Sequence, residues 1–138
     1  MVHIEMTDTP NANDLENIDA RLVDFNRNLI GQSDRRAIAV IIRDEEGVAV
    51  GGLSGTTARG WLYIDNLFVP PNLRGQGIAT RLLEMVESEA RQRGCRGAWL
   101  DTVNVDAYRL YERNGYAPFG TLENYANGHD FNFMSKAL

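Results

Sequence analysis

The chain has 138 residues, a formal net charge of −5 and 43% apolar side chains. That length fits one domain spanning residues 1–138, and that apolar share supports a packed core and excludes a disordered chain. The acidic balance argues against nucleic acid as a partner, the single cysteine, Cys95, excludes an internal disulfide, and two histidines provide no metal-ligand cluster.

The start, Met1–Met6, is neither a basic nor a long apolar leader, and no apolar run approaches the roughly 20 residues needed to span a membrane. A cytoplasmic protein with no membrane partner is the expectation. Val2 to Met6 reads as a short first strand, and the polar stretch from Thr7 to Asn13, with Pro10, as a loop. Asp14 is placed to cap a helix running to about Asn28, with Leu15, Ile18, Leu22, Phe25 and Leu29 at helical spacing. Ala37 to Ile42 is a β-branched, apolar run and predicts a buried strand. Asp44 to Gly47 predicts a turn, and Val48 to about Thr57 the hairpin partner, whose Gly51, Gly52 and Gly55 suggest a bulge or a close backbone approach. Trp61 to Val69 is the next strand, and Pro70-Pro71 stops it. Gly77 to about Arg93 predicts an amphipathic helix with Ile78, Leu82, Met85, Val86 and Ala90 inward, and with Glu87–Arg91 and Glu89–Arg93 pairs on the wet face. A strand (Ala98 to Val103), a short helix (Asp106 to about Asn114) and two strands (near Tyr116 to Glu123 and Asp130 to Lys136) complete a mixed α/β domain.

The most informative segment is the one from Leu67 to Thr80. A strand ends, two prolines turn the chain, and Arg74-Gly75-Gln76-Gly77 opens a helix through Ile78, Ala79 and Thr80. The first turn of a helix carries unpaired N–H groups and the positive end of the dipole, and glycines let an anion come close to that backbone. A dinucleotide fingerprint needs a third glycine at position 80, where Thr80 stands; a P-loop needs a Gly-Lys-Ser/Thr run that is absent. The remaining pattern is Arg/Gln-x-x-Gly-x-Gly/Ala, met as Arg74-x-x-Gly77-x-Ala79. A second segment follows the strand at Ala98: Asn104-Val105-Asp106-Ala107-Tyr108-Arg109-Leu110-Tyr111-Glu112-Arg113-Asn114-Gly115-Tyr116.

With these two motifs the chain resembles the GNAT superfamily of acyl-CoA-dependent N-acyltransferases, from about Arg36 onward. The second segment is similar to that family's Asn-x-x-Ala-x-x-x-Tyr-Glu-Lys-x-Gly-Phe, with Arg113 for Lys and Tyr116 for Phe. The resemblance implies a GNAT-like α/β fold with a mostly antiparallel sheet and one splayed parallel pair. It implies acetyl-CoA as co-substrate, with no metal. The loop from Arg74 to Thr80 is implied to bind its diphosphate. The backbone of Leu67, Phe68 and Val69 is implied to bind the pantetheine arm, with the Leu67 amide polarising the thioester carbonyl. Asn104, Ala107 and Arg113 complete the cofactor side, Asn104 on the pantetheine and Arg113 toward a phosphate. Tyr111 is implied to lie near the thioester sulfur. A tyrosine hydroxyl, pKa about 10, is chemically suited to protonate a departing thiolate; Tyr108, one turn away, is its rival.

The nucleophile is a neutral amine, so an ammonium acceptor must lose a proton. Asp65, two residues before Leu67, shares its face if the pleat is regular and is the first candidate for that base; a family bulge there would shift the phase. Asp101 on the next strand and His129 follow, and Asp101, Tyr125 and His129 are the expected acceptor-binding residues, the last two in the loop between the final strands. The expected reaction is direct transfer of acetyl from acetyl-CoA to a primary amine, that of a small molecule. Alternatives are a protein N-terminal or lysine acetyltransferase, and a non-catalytic CoA-binding sensor. The resemblance also allows a homodimer. Cys95 reads as a packed residue, and Trp61 and Trp99 as core or interface aromatics.

Overall fold

A computed structural model describes all of Met1–Leu138. The chain divides into two compact units, Met1–Ser33 and Asp34–Leu138. In the first, residues 1–6 form no strand: a lone alternating segment has no ladder partner there, which corrects the expected first strand. Its helix, α1 (Ala12–Ile30), starts earlier than Asp14 because Asn11 is the cap, its Oδ1 accepting the Asn13 N–H at 2.8 Å. Gly31, at φ 77°, ends α1. No residue of α1 is buried, and no helix of the molecule is long and apolar enough to cross a membrane.

The second unit is a six-stranded sheet with two helices. In chain order it runs β1 (Arg36–Arg43), β2 (Ala49–Ala58), β3 (Trp61–Phe68), α2 (Ile78–Gln92), β4 (Gly97–Thr102), α3 (Val105–Arg113), β5 (Ala117–Ala126) and β6 (His129–Ala137). The spatial order is β1-β2-β3-β4-β6-β5. Every pairing is antiparallel except β3–β4, where the α2 crossover returns the chain in the same direction. The turn after β1 forms as expected: Asp44 accepts the N–H groups of Glu46 and Val48, both at 2.9 Å.

Register assigns the two faces of the sheet. Leu62 and Ile64 of β3 lie beside Ala98 and Leu100 of β4, and Met134 of β6 beside Leu100; all are fully or almost fully buried. This inner face packs against α2 and α3 through Leu82, Leu83, Val86, Ala90, Tyr111 and Tyr116. The helix stripe is rotated from the one expected. Leu83 is 1% exposed, whereas Met85 is 48% exposed.

Glu87 departs furthest from expectation. It is not paired with Arg91 on a wet face but buried, 2.7 Å from Lys136 Nζ and accepting the Tyr116 hydroxyl at 2.8 Å. The expected Glu89–Arg93 pair gives way as well. Arg93 instead donates to the Ala37 carbonyl and to Thr57 Oγ1, at 3.1 and 3.0 Å, fastening the end of α2 to β1 and β2. Glu87 therefore ties α2 to β6 and to the start of β5, and its carboxylate depends on both partners for solvation. Burial and the Glu87 charge in turn push the Tyr116 hydroxyl far above the ordinary tyrosine range. Lys136→Met, which strands that carboxylate, is expected to cost about 3 kcal/mol in thermal unfolding. Lys136→Met with Glu87→Gln should recover most of the loss.

Candidate functional site

The strand-to-helix junction builds a cleft. Pro71–Leu73 forms a single 3-10 turn, and α2 then starts from Gly77. Gly75 and Gly77 hold φ values of 77° and 75°, and a Cβ at either would meet nothing within 4 Å. Glycine is needed at both for conformation rather than for space. Gly77 offers no side chain to cap the helix, so the first-turn N–H groups of α2 have no intrahelical partner and face a ligand or water.

Around this turn lies a hollow of about 590 Å³. It is lined by Leu67, Phe68, Val69, Arg74, Gly75, Gly77, Ile78, Ala79, Thr80, Asn104, Ala107 and Arg113, twelve residues expected from the sequence. Leu73, Asp106 and Leu110 also line it and were missed. Leu110 was legible as the residue one turn beyond Ala107 on the same face of α3. Gln76 does not line the cleft; it is exposed, with its amide 3.5 Å from the Asn72 carbonyl. Arg74 is partly committed to the loop itself. Its Nε donates to the Val69 carbonyl at 2.8 Å and its guanidinium lies 5.6 Å from the Phe68 ring centre. Asn104 caps α3, its Oδ1 accepting from the N–H groups of Asp106 and Ala107 at 2.8 and 3.1 Å, which leaves its Nδ2 side for a ligand. Thr80 Oγ1 accepts from Asn114 Nδ2 at 3.2 Å, tying the two helices that flank the cleft.

The floor of the cleft is a gap in the sheet. β3 and β4 pair from Trp61–Gly97 to Ile64–Leu100 and then part, although both strands continue, to Phe68 and Thr102. Past Ile64, the β4-facing edge of β3 carries backbone groups with no ladder partner on that side. On its other side β3 bulges. Ile64 pairs with Gly55 and Asn66 with Ser54, leaving Asp65 as the extra residue. The bulge shifts the pleat, so Leu67, opposite the buried Leu53, lies on the inner face with Ile64. Asp65 consequently does not share the face of Leu67, which corrects the expectation from a regular pleat.

The remaining candidates divide between two places. Asp101 accepts a 3.0 Å hydrogen bond from the Tyr63 hydroxyl, and the Tyr63 ring lies tilted against Trp99 with ring centres 4.3 Å apart. Burial, with the hydrogen bond and charge of Asp101 and the charge of Asp65, pushes Tyr63 up to about 12. Tyr111 is buried, and burial followed by the charge of Asp101 raises its pKa too. Asp65 and Asp101 thus both act on Tyr63, and Asp101 acts on Tyr111 as well; Tyr111 itself lies in the core against Tyr116 and does not line the cleft. Tyr63 was missed; its only sequence signal is the two-residue step to Asp65 along β3. His129 and Tyr108 instead line a separate hollow of about 300 Å³ beside Asn104. The expected loop at 125–130 is a tight hairpin turn at Asn127-Gly128, with φ 51° and 79°, so Tyr125 and His129 belong to strands. Tyr125 stacks on Phe131 at 4.7 Å and is not brought to the cleft. Cys95 is buried at the corner between α2 and β4, as expected of a packed residue.

A splayed parallel pair with a glycine-started helix at its mouth is the arrangement that the resemblance to acyl-CoA-dependent N-acyltransferases implies. The sequence model of the acetyltransferase (GNAT) family matches residues 1–116, so the match includes the N-terminal region where the motifs are weakest. The acetyltransferase Atu2258 of Agrobacterium fabrum (strain C58 / ATCC 33970) is 49% identical over 115 residues, 83% of this chain and 84% of that one. Blasticidin-S acetyltransferase of Streptomyces morookaense is 34% identical, covering 68% and 70% of the two chains. A crystal structure of an acetyltransferase from Agrobacterium tumefaciens superimposes with a TM-score of 0.92 at 43% identity, covering 99% of this chain and 100% of the other. The chain belongs to the GNAT acetyltransferase family and is a GNAT-type N-acetyltransferase.

Asp101→Asn removes the charge and weakens the hydrogen bond that hold the Tyr63 proton, while burial stays. Ultraviolet titration of tyrosinate should show Tyr63 ionising below 12 but still above the ordinary value near 10.

Proposed function

We propose that the protein transfers the acetyl group of acetyl-CoA to a primary amine of a small molecule, by direct attack within a ternary complex. The observation that carries this reading is the cleft itself. A left-handed glycine start to α2 and an unpaired stretch of the β3 edge open onto one hollow. The residues fit the donor. The first-turn N–H groups of α2 suit a diphosphate, the β3 edge suits the amide groups of the pantetheine arm, and Asn104 and Arg113 border the same space. GNAT acetyltransferases use acetyl-CoA as co-substrate. Blasticidin-S acetyltransferase, by its name an enzyme acting on a small molecule, supports that class of acceptor.

In this mechanism the acceptor approaches at the strand gap, where Asp65 and Asp101 stand beside Tyr63. Their carboxylates favour an ammonium and receive the proton it must lose, directly or through water. The amine nitrogen then attacks the thioester carbon, and the Leu67 amide stabilises charge on the carbonyl oxygen. The carbon–sulfur bond breaks as the amide forms, and Tyr111 gives its proton to the sulfur and regains one from solvent. Burial suits Tyr111 to this task, because a raised pKa keeps its hydroxyl protonated.

The test is a panel of amines with acetyl-CoA, read by thiol release. At least one small amine should give acetyl-CoA-dependent thiol and N-acetyl product; an enzyme that accepts only protein N-termini or lysines, or none, overturns the reading. With an accepted amine, Tyr111→Phe should lower kcat about 100-fold while acetyl-CoA affinity is kept. The parent kcat should stay level from about pH 8 to 10, because the proton of Tyr111 is lost only above the ordinary tyrosine value.

A further inference from the structure

Of the 14 basic side chains, only Lys136 is a lysine; the other thirteen are arginines. A guanidinium is not deprotonated in proteins and offers no nucleophilic lone pair, whereas a lysine amine attacks a thioester once it has lost its proton. Acetyl-CoA, the co-substrate of this family, is such a thioester. Lys136 is therefore the one side-chain amine of the chain that this reagent can acylate. The fold does not leave that amine free. Lys136 stands on β6 opposite the buried Ala98, on the inner face of the sheet. Its stem lies against the backbone of Gly115, where an added Cβ would meet Lys136 Cε at 3.4 Å and Nζ at 3.8 Å. Nζ is 2.7 Å from Glu87 Oε1 and 5.7 Å from the centre of the Tyr116 ring. The other carboxylate oxygen, Oε2, accepts the Tyr116 hydroxyl, so both oxygens of Glu87 are engaged. The Glu87 side chain is 3% exposed and that of Lys136 24%.

We propose that Lys136 is the single side-chain acylation site of this chain, closed to acyl donors while β6 is docked on α2 and open when the two part, and that an acetyl group placed there prevents them from closing again. In the ion pair Nζ is an ammonium, which has no lone pair for an acyl carbon, and the Glu87 carboxylate occupies one side of the nitrogen. When β6 leaves α2 the ammonium meets water and releases a proton to it. Nζ then attacks the thioester carbon and the carbon–sulfur bond breaks. The nitrogen gives up a further proton to solvent as the amide forms, and the departing thiolate takes one up. The product is a neutral amide. It cannot offset the Glu87 charge, so the carboxylate can return to the core only without its cation. The thirteen arginines need no such shelter. The proposal is independent of which amine the cleft accepts, because the donor reacts with Lys136 by its own chemistry.

The full-length chain is treated with acetyl-CoA and, in parallel, with the N-hydroxysuccinimide ester of acetic acid, both folded and in denaturing urea. Hydroxylamine then removes tyrosine esters, and peptide mass spectrometry follows Lys136. The exposed α-amino group at Met1 is the internal control, and each rate is taken relative to it. In the folded chain Lys136 should label roughly 100-fold more slowly than in urea, a ratio set by the opening that breaks the buried pair. Glu87→Gln, checked for folding by circular dichroism, should raise labelling of Lys136 in the folded chain at least tenfold. Chain acetylated in urea and refolded should melt about 10 °C below chain acetylated while folded, which carries the terminal acetyl group alone. Lys136 that labels as fast in the folded parent as in urea, with either reagent, overturns the closed site. A folded Glu87→Gln variant with unchanged labelling overturns Glu87 as its guard. Equal melting temperatures overturn the block on closing. If Glu87→Gln does not fold, the parent in sub-denaturing urea serves: labelling should rise with the fraction unfolded, and a rate independent of urea overturns the proposal. A chain that shows the expected pattern with the ester yet acetylates no amine from acetyl-CoA leaves the site standing and overturns the acyl-transfer reading alone.

Discussion

The parting of β3 from β4 is the constraint on which the rest of the structure depends. Parallel pairing ends at Ile64–Leu100 although both strands run on. A backbone N–H or C=O left without a partner in a protein interior costs roughly 1–3 kcal/mol, so such groups must meet water or a ligand. The gap therefore belongs where a cleft opens, and the cleft lies there. Leu62, Ile64, Ala98 and Leu100 fix the paired half against α2 and α3. The bulge at Asp65 re-phases the unpaired half so that Leu67 turns inward.

The helix ends converge on this gap by different local means. α2 starts from Gly77, whose left-handed backbone a residue with a Cβ rarely adopts. α3 starts from Asn104, which spends its carbonyl oxygen on the cap and borders the cleft. Thr80 and Asn114 join the helices beside the cleft, and deeper in the core Glu87 joins α2 to Tyr116 and Lys136. A buried carboxylate tolerates few geometries, since losing either partner leaves it under-solvated. That network fixes α2 against β6 and the start of β5, at the far edge of the sheet from β1.

The two acidic residues nearest the gap act on two tyrosines. Asp101 accepts a hydrogen bond from Tyr63 and raises Tyr111 through its charge, while burial is the larger cause for both. The carboxylates beside the gap thus keep neighbouring phenols protonated, and in the acyl-transfer reading proposed above the same arrangement of charge would serve acceptor binding and proton donation together.

Sequence by itself determined the order of elements, the glycine turn before α2, and almost the whole lining of the cleft. These follow from local rules: proline ends a ladder, glycine takes positive φ, and apolar residues recur with the helical period. Tertiary structure decided the rest. A lone alternating segment at Val2–Met6 has no strand to pair with, so no ladder forms there. Which face of α2 turns inward depended on Lys136 and Tyr116, distant in sequence, which draw Glu87 into the core and leave Met85 outside. The side of β3 on which Asp65 lies depended on its register with Gly55, and the partner of Tyr63 on the register of β4. Pairing across a sheet joins residues tens of positions apart, and a one-residue shift there exchanges the two faces, so no local pattern carries that information.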